Sequence, residues 1–397
     1  MTISRFHLQI SDQEYQQRCD ALRALLEQRD LSGVVLFSSD YVRYFTGFAF
    51  IPTERPIGFV MNRRGKRAMF VPRMEVEHAQ ANALIDRVTH YVEYPDTLHP
   101  MDRLATLLGE LGISRRVGAD SDGYPRIFGY RGRSLSEIGL TVSPISDDVE
   151  DQMMVKSPAE IMLIEESTRW ANLALRLLQT YTAPGKTESE VTQRANAEAS
   201  QAMLNAIGPI YKAQGWQREG AHAEYRGQIG RNAAIPHSLA NNITFQNGDV
   251  LVGEAAAAVW GYSTELERTM IIGSASDGQK RLFDHMMALQ DLAFEAIQPG
   301  ARCCDVDRAV RAYYERHDMQ ALWRHHTGHA IGMRYHEGPF LDVGDTTEIR
   351  PGMVFTVEPG LYHPEFGGFR HSDTVVVTAD GIQILTYYPR DLASLTL

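Results

Sequence analysis

Apolar positions change their spacing several times in the first 150 residues. Residues 11–30 place them at helical intervals, whereas LSGVVLF, IGFVMN and KRAMFVP read as buried strands. PRMEVEHAQANAL returns to helical spacing. RVGAD is a further short strand, with a helix expected after it. Helix and strand signals alternating at this pace predict a small α/β domain built on a mixed sheet.

A boundary follows at KSPAE, residues 156–160. Ser157 is placed to cap a helix with Pro158 at its first position and Glu160 three residues after the cap. That helix is expected to run to about Thr182, before Pro184-Gly185, and a second from Thr187 to about Ile207. From residue 208 the pattern turns to strand and turn. GDVLVGEAAAAVWGYSTELERTMIIG predicts a β-hairpin turning near Trp260-Gly261-Tyr262. Helices over 276–297 and 304–318 precede three short strand-and-turn units. Two domains are predicted, 1–152 and 157–397, in an α/β (α+β) class.

Composition narrows the function classes. A formal charge of −11 provides no basic field for a phosphate backbone, which excludes a nucleic-acid partner. Mean hydropathy is −0.28 and no run reaches the ~18 apolar residues of a spanning helix, so no membrane partner is expected. Cys19, Cys303 and Cys304 form no disulfide framework, and MTISRFHLQISDQEY lacks the character of a signal peptide. These features point to a cytoplasmic protein.

The chemistry gathers in the second domain. Glu254 and Glu265 lie eleven residues apart on the two arms of the hairpin, and Glu267 shares the face of Glu265. Side chains on one face of paired strands sit roughly 5 Å apart directly across and ~7–8 Å diagonally. Carboxylates so placed share either a cation or a proton. Four histidines, His325, His326, His329 and His336, fall within twelve residues of a glycine-punctuated stretch. Glu358 ends the apolar run VFTVEPG, where a carboxylate is costly unless paired or liganded. His237, in AAIPHSL, is a candidate general acid/base.

Together GRNAAIPH, the acidic hairpin, HHTGHAIG–HEGP, PGMVFTVEPGLY and GGFRHSDTVVVTADG resemble the creatinase / methionine aminopeptidase / prolidase superfamily. The resemblance implies a creatinase/prolidase-type N-terminal domain, a pita-bread catalytic domain and a homodimer in which FAFIPTERP, with Arg55, helps to cover the partner's site. The superfamily's metallopeptidases hold two metal ions on two aspartates, a histidine and two glutamates, which map here to Glu254, Glu265, His329, Glu358 and Ser372. Glutamates replace both aspartates, and a serine replaces the last bridging carboxylate. The site pattern is similar to that of creatinase and ectoine hydrolase, which implies C–N hydrolysis of a small, cationic amide, amidine or guanidino substrate without a metal cofactor. His237, Glu267, Glu358 and His329 would then be catalytic, and Glu254, Glu265, His336 and Arg370 would bind substrate. The alternative is a Xaa-Pro peptidase with one divalent ion (Mn, Co, Zn or Fe) on Glu254, Glu265, His329 and Glu358. A third reading is a catalytically inactive binding protein.

Overall fold

The computed structural model describes residues 8–208 and 220–397. Part of the turn-rich stretch expected from residue 208, and the first seven residues of the N-terminal segment, lie outside the described residues. Two compact units divide the chain, one built on Ile10–Met153 and the other on the residues from Met154 onward.

In the first unit, Ser11 accepts from the Glu14 amide and caps helix α1 (Asp12–Gln28). Strand β1 (Gly33–Leu36), helix α2 (Ser39–Thr46), β2 (Gly58–Asn62) and β3 (Arg67–Pro72) follow, then α3 (Val76–Asn82) and β4 (Arg87–Tyr91). Helix α4 (Pro100–Glu110), β5 (Arg116–Ala119), β6 (Thr141–Pro144) and α5 (Ser146–Met154) complete it. The sheet runs β4-β3-β2-β1-β5-β6 and is mixed, with β1–β2 and β2–β3 antiparallel and the other pairs parallel. Val35, Val60, Phe70, Leu104, Leu107 and Val117 form its core.

One local expectation fails. No α-helix directly follows β5, because SDGYPRIFGYRG is too rich in glycine and proline, and two short 3-10 turns occupy the segment instead. Strand β4, whose burial alternates imperfectly, gave no readable signal in the sequence.

The second unit opens on α6 (Pro158–Tyr181). Its capping box is complete: Ser157 Oγ accepts from the Glu160 amide, and Glu160 accepts from the Ser157 amide at 2.7 Å. Helix α7 (Glu188–Ile207) is capped by Thr187. Then come β7 (Ala221–Glu224) and the long hairpin β8 (Val250–Val259) and β9 (Tyr262–Ile271). The hairpin turns through Trp260 and Gly261, both at positive φ (54° and 78°), the handedness that matches the twist of the flanking strands. Helices α8 (Asp277–Ala296) and α9 (Cys303–Arg316) precede β10 (Gly328–Ala330), β11 (Glu337–Leu341) and β12 (Val354–Val357). Strands β13 (Gly360–His363), β14 (Gly367–Arg370), β15 (Ser372–Thr378) and β16 (Gly381–Ile384) end the described elements.

The main sheet runs β11-β10-β12-β15-β9-β8-β7, with β16 added to β15, while β13 and β14 form a separate pair. Helices α6 and α7 pack on the β7–β9 side, and α8 and α9 on the β11–β14 side. All three cysteines are buried and unpaired. No helix among the described residues is long and apolar enough to cross a membrane.

A buried ion pair fixes the join between β9 and β15. Arg268, fully buried, forks onto Asp373 at 2.8 and 3.1 Å and donates to the carbonyls of Ser372, Tyr388 and Pro389. Gln290 and Thr386 donate to the same carboxylate. Breaking one partner of such a pair strands a charge in the core. Arg268→Ala is therefore expected to lower the unfolding free energy by about 3–5 kcal/mol, read as an earlier urea midpoint. A loss below about 1 kcal/mol would contradict this account.

Candidate active site

Hairpin register brings the first three candidates together. Glu254 pairs directly with Glu267, and Ala256 with Glu265, so the three carboxylates share one face with only alanines between them on β8. Strand β15 joins β9 with Ser372 opposite Glu267. His329 arrives on β10, which presses against β12: a Cβ on Gly328 would stand 2.1 Å from the Thr356 carbonyl, so only glycine permits this approach. Glu358 follows β12 directly.

Three buried glutamates and the partly buried Glu358 meet in this pocket, and each has found a partner. Glu254 forms an ion pair with Arg226, whose Nη2 lies 2.6 Å away, and accepts from the Tyr335 hydroxyl at 2.8 Å. Burial opposes its ionisation, but Arg226 and Tyr335 hold its carboxyl below the usual range. Glu267 receives both arms of Arg370, with Nη2 at 2.5 Å and Nε on the other oxygen. Burial pushes Glu267 up to about 7 against the pull of Arg370, and it works against the Arg370 charge too, which Glu267 nevertheless holds well above its ordinary value. Because guanidinium gives up its proton far less readily than a carboxylic acid, the pair stays ionic.

Arg370 Nη1 also donates to the Tyr362 hydroxyl at 3.0 Å, and that hydroxyl lies 2.6 Å from His325 Nε2. Since His325 Nδ1 points at the His326 carbonyl, its proton sits there, and Nε2 accepts from Tyr362. Burial holds His325 neutral, down to about 4.

The remaining cluster has a different character. Glu265, His329 and Glu358 each bring one donor atom into a group spanning 4.8 Å. His329 Nδ1 is committed to the Ala330 carbonyl at 2.9 Å. Its Nε2 lies 3.3 Å from Glu358 and 3.7 Å from Glu265, yet it is buried and has no aligned hydrogen-bond partner among the described residues. Burial disfavours the imidazolium, but the two carboxylates raise His329 to about 9. Glu358 is held low against its burial by His329 and Arg370, whereas burial and Glu358 push Glu265 well above the carboxylate range. Ser372 Oγ donates to Glu265 at 2.7 Å.

The charges decide what this cluster can hold. Four carboxylates against two guanidinium groups leave two negative charges to neutralise. Protons on His329 and Glu265 do so, and so would one divalent cation beside a neutral His329. An oriented, unpartnered imidazole nitrogen between two carboxylates fits a single ion. It does not extend to a pair, because the oxygens of Glu254 and Glu267 are already engaged and Ser372 supplies no carboxylate. Glu254, expected among the ligands, stands outside the cluster.

The other expected residues lie as follows. His336 is exposed except where one face of its ring stacks on His329, with centroids 3.7 Å apart; the loss of water on that side and the neighbouring imidazolium lower it to about 4. Lys156, buried against Glu337 at 2.9 Å, anchors the turn that carries it. His237 is exposed and close enough to His336 to affect its basicity. Arg370, expected to bind substrate, is buried and spends its donors on Glu267 and Tyr362. In the other unit, Arg55 of the expected lid is held by Glu54 and Glu93. Arg226, Tyr335 and Tyr362 carried no recognisable signal in the sequence, since their partners lie far away along the chain.

The charge on His329 links stability to pH. A histidine raised from about 6.5 to about 9 contributes stability that is complete below the lower value and is lost as pH rises through the higher one. In protein stripped of divalent cations, unfolding free energy should fall by up to about 3 kcal/mol between pH 6.5 and 9.5. His329→Gln should flatten most of that fall in urea titrations. An unchanged slope would refute the assignment.

Sequence and structure comparisons place the chain in a family. A sequence model of metallopeptidase family M24 matches residues 162–379, more than half of the chain, and one of the creatinase/prolidase N-terminal domain matches residues 18–151. The chain is 25% identical over 378 residues to a Xaa-Pro dipeptidase of Pyrococcus furiosus, covering 95% of this chain and 99% of that protein. It is 27% identical over 376 residues to an uncharacterized peptidase, YqhT, of Bacillus subtilis, covering 94% and 99%. Dipeptidase PepE from Mycobacterium ulcerans shares the fold with a TM-score of 0.81 at 24% identity, over 98% of this chain and 100% of that one. With the fold, the paired domains and the cluster in place, this chain belongs to metallopeptidase family M24, as a hydrolase of C–N bonds whose pita-bread catalytic domain follows a creatinase/prolidase-type N-terminal domain.

Proposed function

We propose that this chain hydrolyses a C–N bond in a small amide, amidine or guanidino substrate, from a pocket that needs no pair of metal ions. The observation that carries the reading is Ser372, whose hydroxyl donates to Glu265 where a two-metal site requires a bridging carboxylate. Without a metal, the charged His329 polarises the scissile carbonyl and passes a proton towards the leaving nitrogen. Glu358, ionised beside it, orients the attacking water and accepts its proton. A cationic substrate group meets the ionised Glu358, because Arg370 takes the oxygens of Glu267. His237 and the neutral His336 line the solvent side, where His237 takes the proton on from Glu358 and returns it to solvent.

One observation favours a second reading, a mononuclear Xaa-Pro dipeptidase: the unpartnered Nε2 of His329 between two carboxylates. Glu265, His329 and Glu358 would hold the ion, which would supply Lewis-acid polarisation and an acidified water. Similarity to the Pyrococcus furiosus Xaa-Pro dipeptidase supports that substrate class.

The test is metal content by plasma mass spectrometry on protein purified without chelator or nickel, followed by turnover of guanidino acids, cyclic amidines, small amides and Xaa-Pro dipeptides. The first reading expects activity that survives EDTA. The second expects one ion per chain and dipeptide cleavage restored by manganese. Two ions per chain, with activity abolished by chelation, would overturn both. On either reading Glu358→Gln should lower kcat/KM by at least about 100-fold.

A further inference from the structure

Arg226 is built into this pocket with unusual care. It follows β7 at φ 51°, a left-handed conformation that side chains seldom adopt and that persists only where the surroundings enforce it. The surroundings here are specific. The next residue, Gly227, is also at positive φ, its amide donates to the buried Glu188 at 2.5 Å, and a Cβ on it would stand 2.3 Å from the Leu239 carbonyl. The backbone is thus clamped in the one conformation that aims this side chain inward.

What the side chain reaches is equally specific. Nη2 lies 2.6 Å from Glu254 Oε2 and 3.5 Å from Glu267 Oε1, between two carboxylates that face each other across the hairpin. The other Glu254 oxygen accepts from Tyr335, and the other Glu267 oxygen accepts from Arg370. Nη2 also donates to Gln228 Oε1 at 3.3 Å, while Nε is buried without a hydrogen-bond partner among the described residues, so the group is held by charge, by its backbone and by an incomplete set of hydrogen bonds.

We propose that Arg226 stands in for a second metal ion. It is a fixed cation that pairs with Glu254 and Glu267 and holds them in position, so that exchangeable cations are confined to Glu265, His329 and Glu358. A guanidinium suits this role because it stays charged at every working pH and bridges carboxylates with directed N–H groups. Unlike an ion, it cannot be removed by a chelator or exchanged for another metal. Arg226 is a positioning residue on this account. The inference rests on the reading that the pocket works without a metal pair.

The test counts bound manganese(II) by electron paramagnetic resonance in the wild type, Arg226→Gln, Arg226→Lys and the double variant Arg226→Gln/Glu254→Gln. The wild type should bind no more than one ion per chain. Arg226→Gln should bind one more than the wild type, whereas Arg226→Lys and the double variant should match the wild type. Guanidinium ion added to Arg226→Gln should displace the extra manganese and restore turnover, with no such effect on the wild type.

Should Arg226→Gln fail to fold unaided, manganese or guanidinium should restore its melting transition, while the double variant folds without either. Equal manganese counts in Arg226→Gln and the wild type, or a single variant that neither cation rescues, would overturn the assignment and leave the mechanism proposed above standing. Two ions in the wild type would overturn that mechanism itself.

Discussion

Four glutamates share one dry pocket, and carboxylates that close cannot all ionise without cations beside them. Two like charges 4 Å apart repel by about 4 kcal/mol at the effective dielectric of a protein. The requirement explains why Arg226, Arg370 and His329 converge on this face. It also explains why Glu265, which has no guanidinium paired with it, is pushed well above the carboxylate range. Take away the compensating charges and the hairpin would have no reason to bury these side chains.

The pocket can be assembled because a strand alternates. Along β9, Glu265 and Glu267 point into the site, while Leu266 and Arg268 point the other way, and both are fully buried. Arg268 forks onto Asp373 and ties together the two strands whose register sets Ser372 opposite Glu267. One face of the strand therefore carries the chemistry and the other carries the lock that holds its register. A slip of one residue would bury Arg268 among the carboxylates and turn Glu265 and Glu267 into the apolar layer, so register here is strongly enforced.

Membership of family M24 fixes the scaffold and the class of bond, and the side chains on that scaffold set the rest. Ser372 is the point of divergence. A carboxylate there would add a fifth negative charge beside Glu265, which only a further cation could balance. A hydroxyl adds none and donates to Glu265 instead. The exchange of one side chain thus changes the number of cations the pocket demands.

Much of this was legible in local sequence, because local rules govern it. The capping box at Ser157 and Glu160 depends on residues three apart, the hairpin on a two-residue turn between apolar runs, and the shared face of Glu254, Glu265 and Glu267 on the period of a strand. The mixed sheet of the first unit followed from alternating helix and strand signals, although the helix looked for after β5 dissolved into turns. Which cation answers which carboxylate was decided only in three dimensions. Arg226 meets Glu254 through the pairing of β7 with β8, and Arg370 meets Glu267 through the packing of β14 on the hairpin, arrangements that no local pattern encodes. The exposure of His237, looked for as a catalytic base, was settled in the same way. A residue type and its spacing state what a side chain can do, but its partner, and hence its charge, depends on the sheet that brings distant strands together.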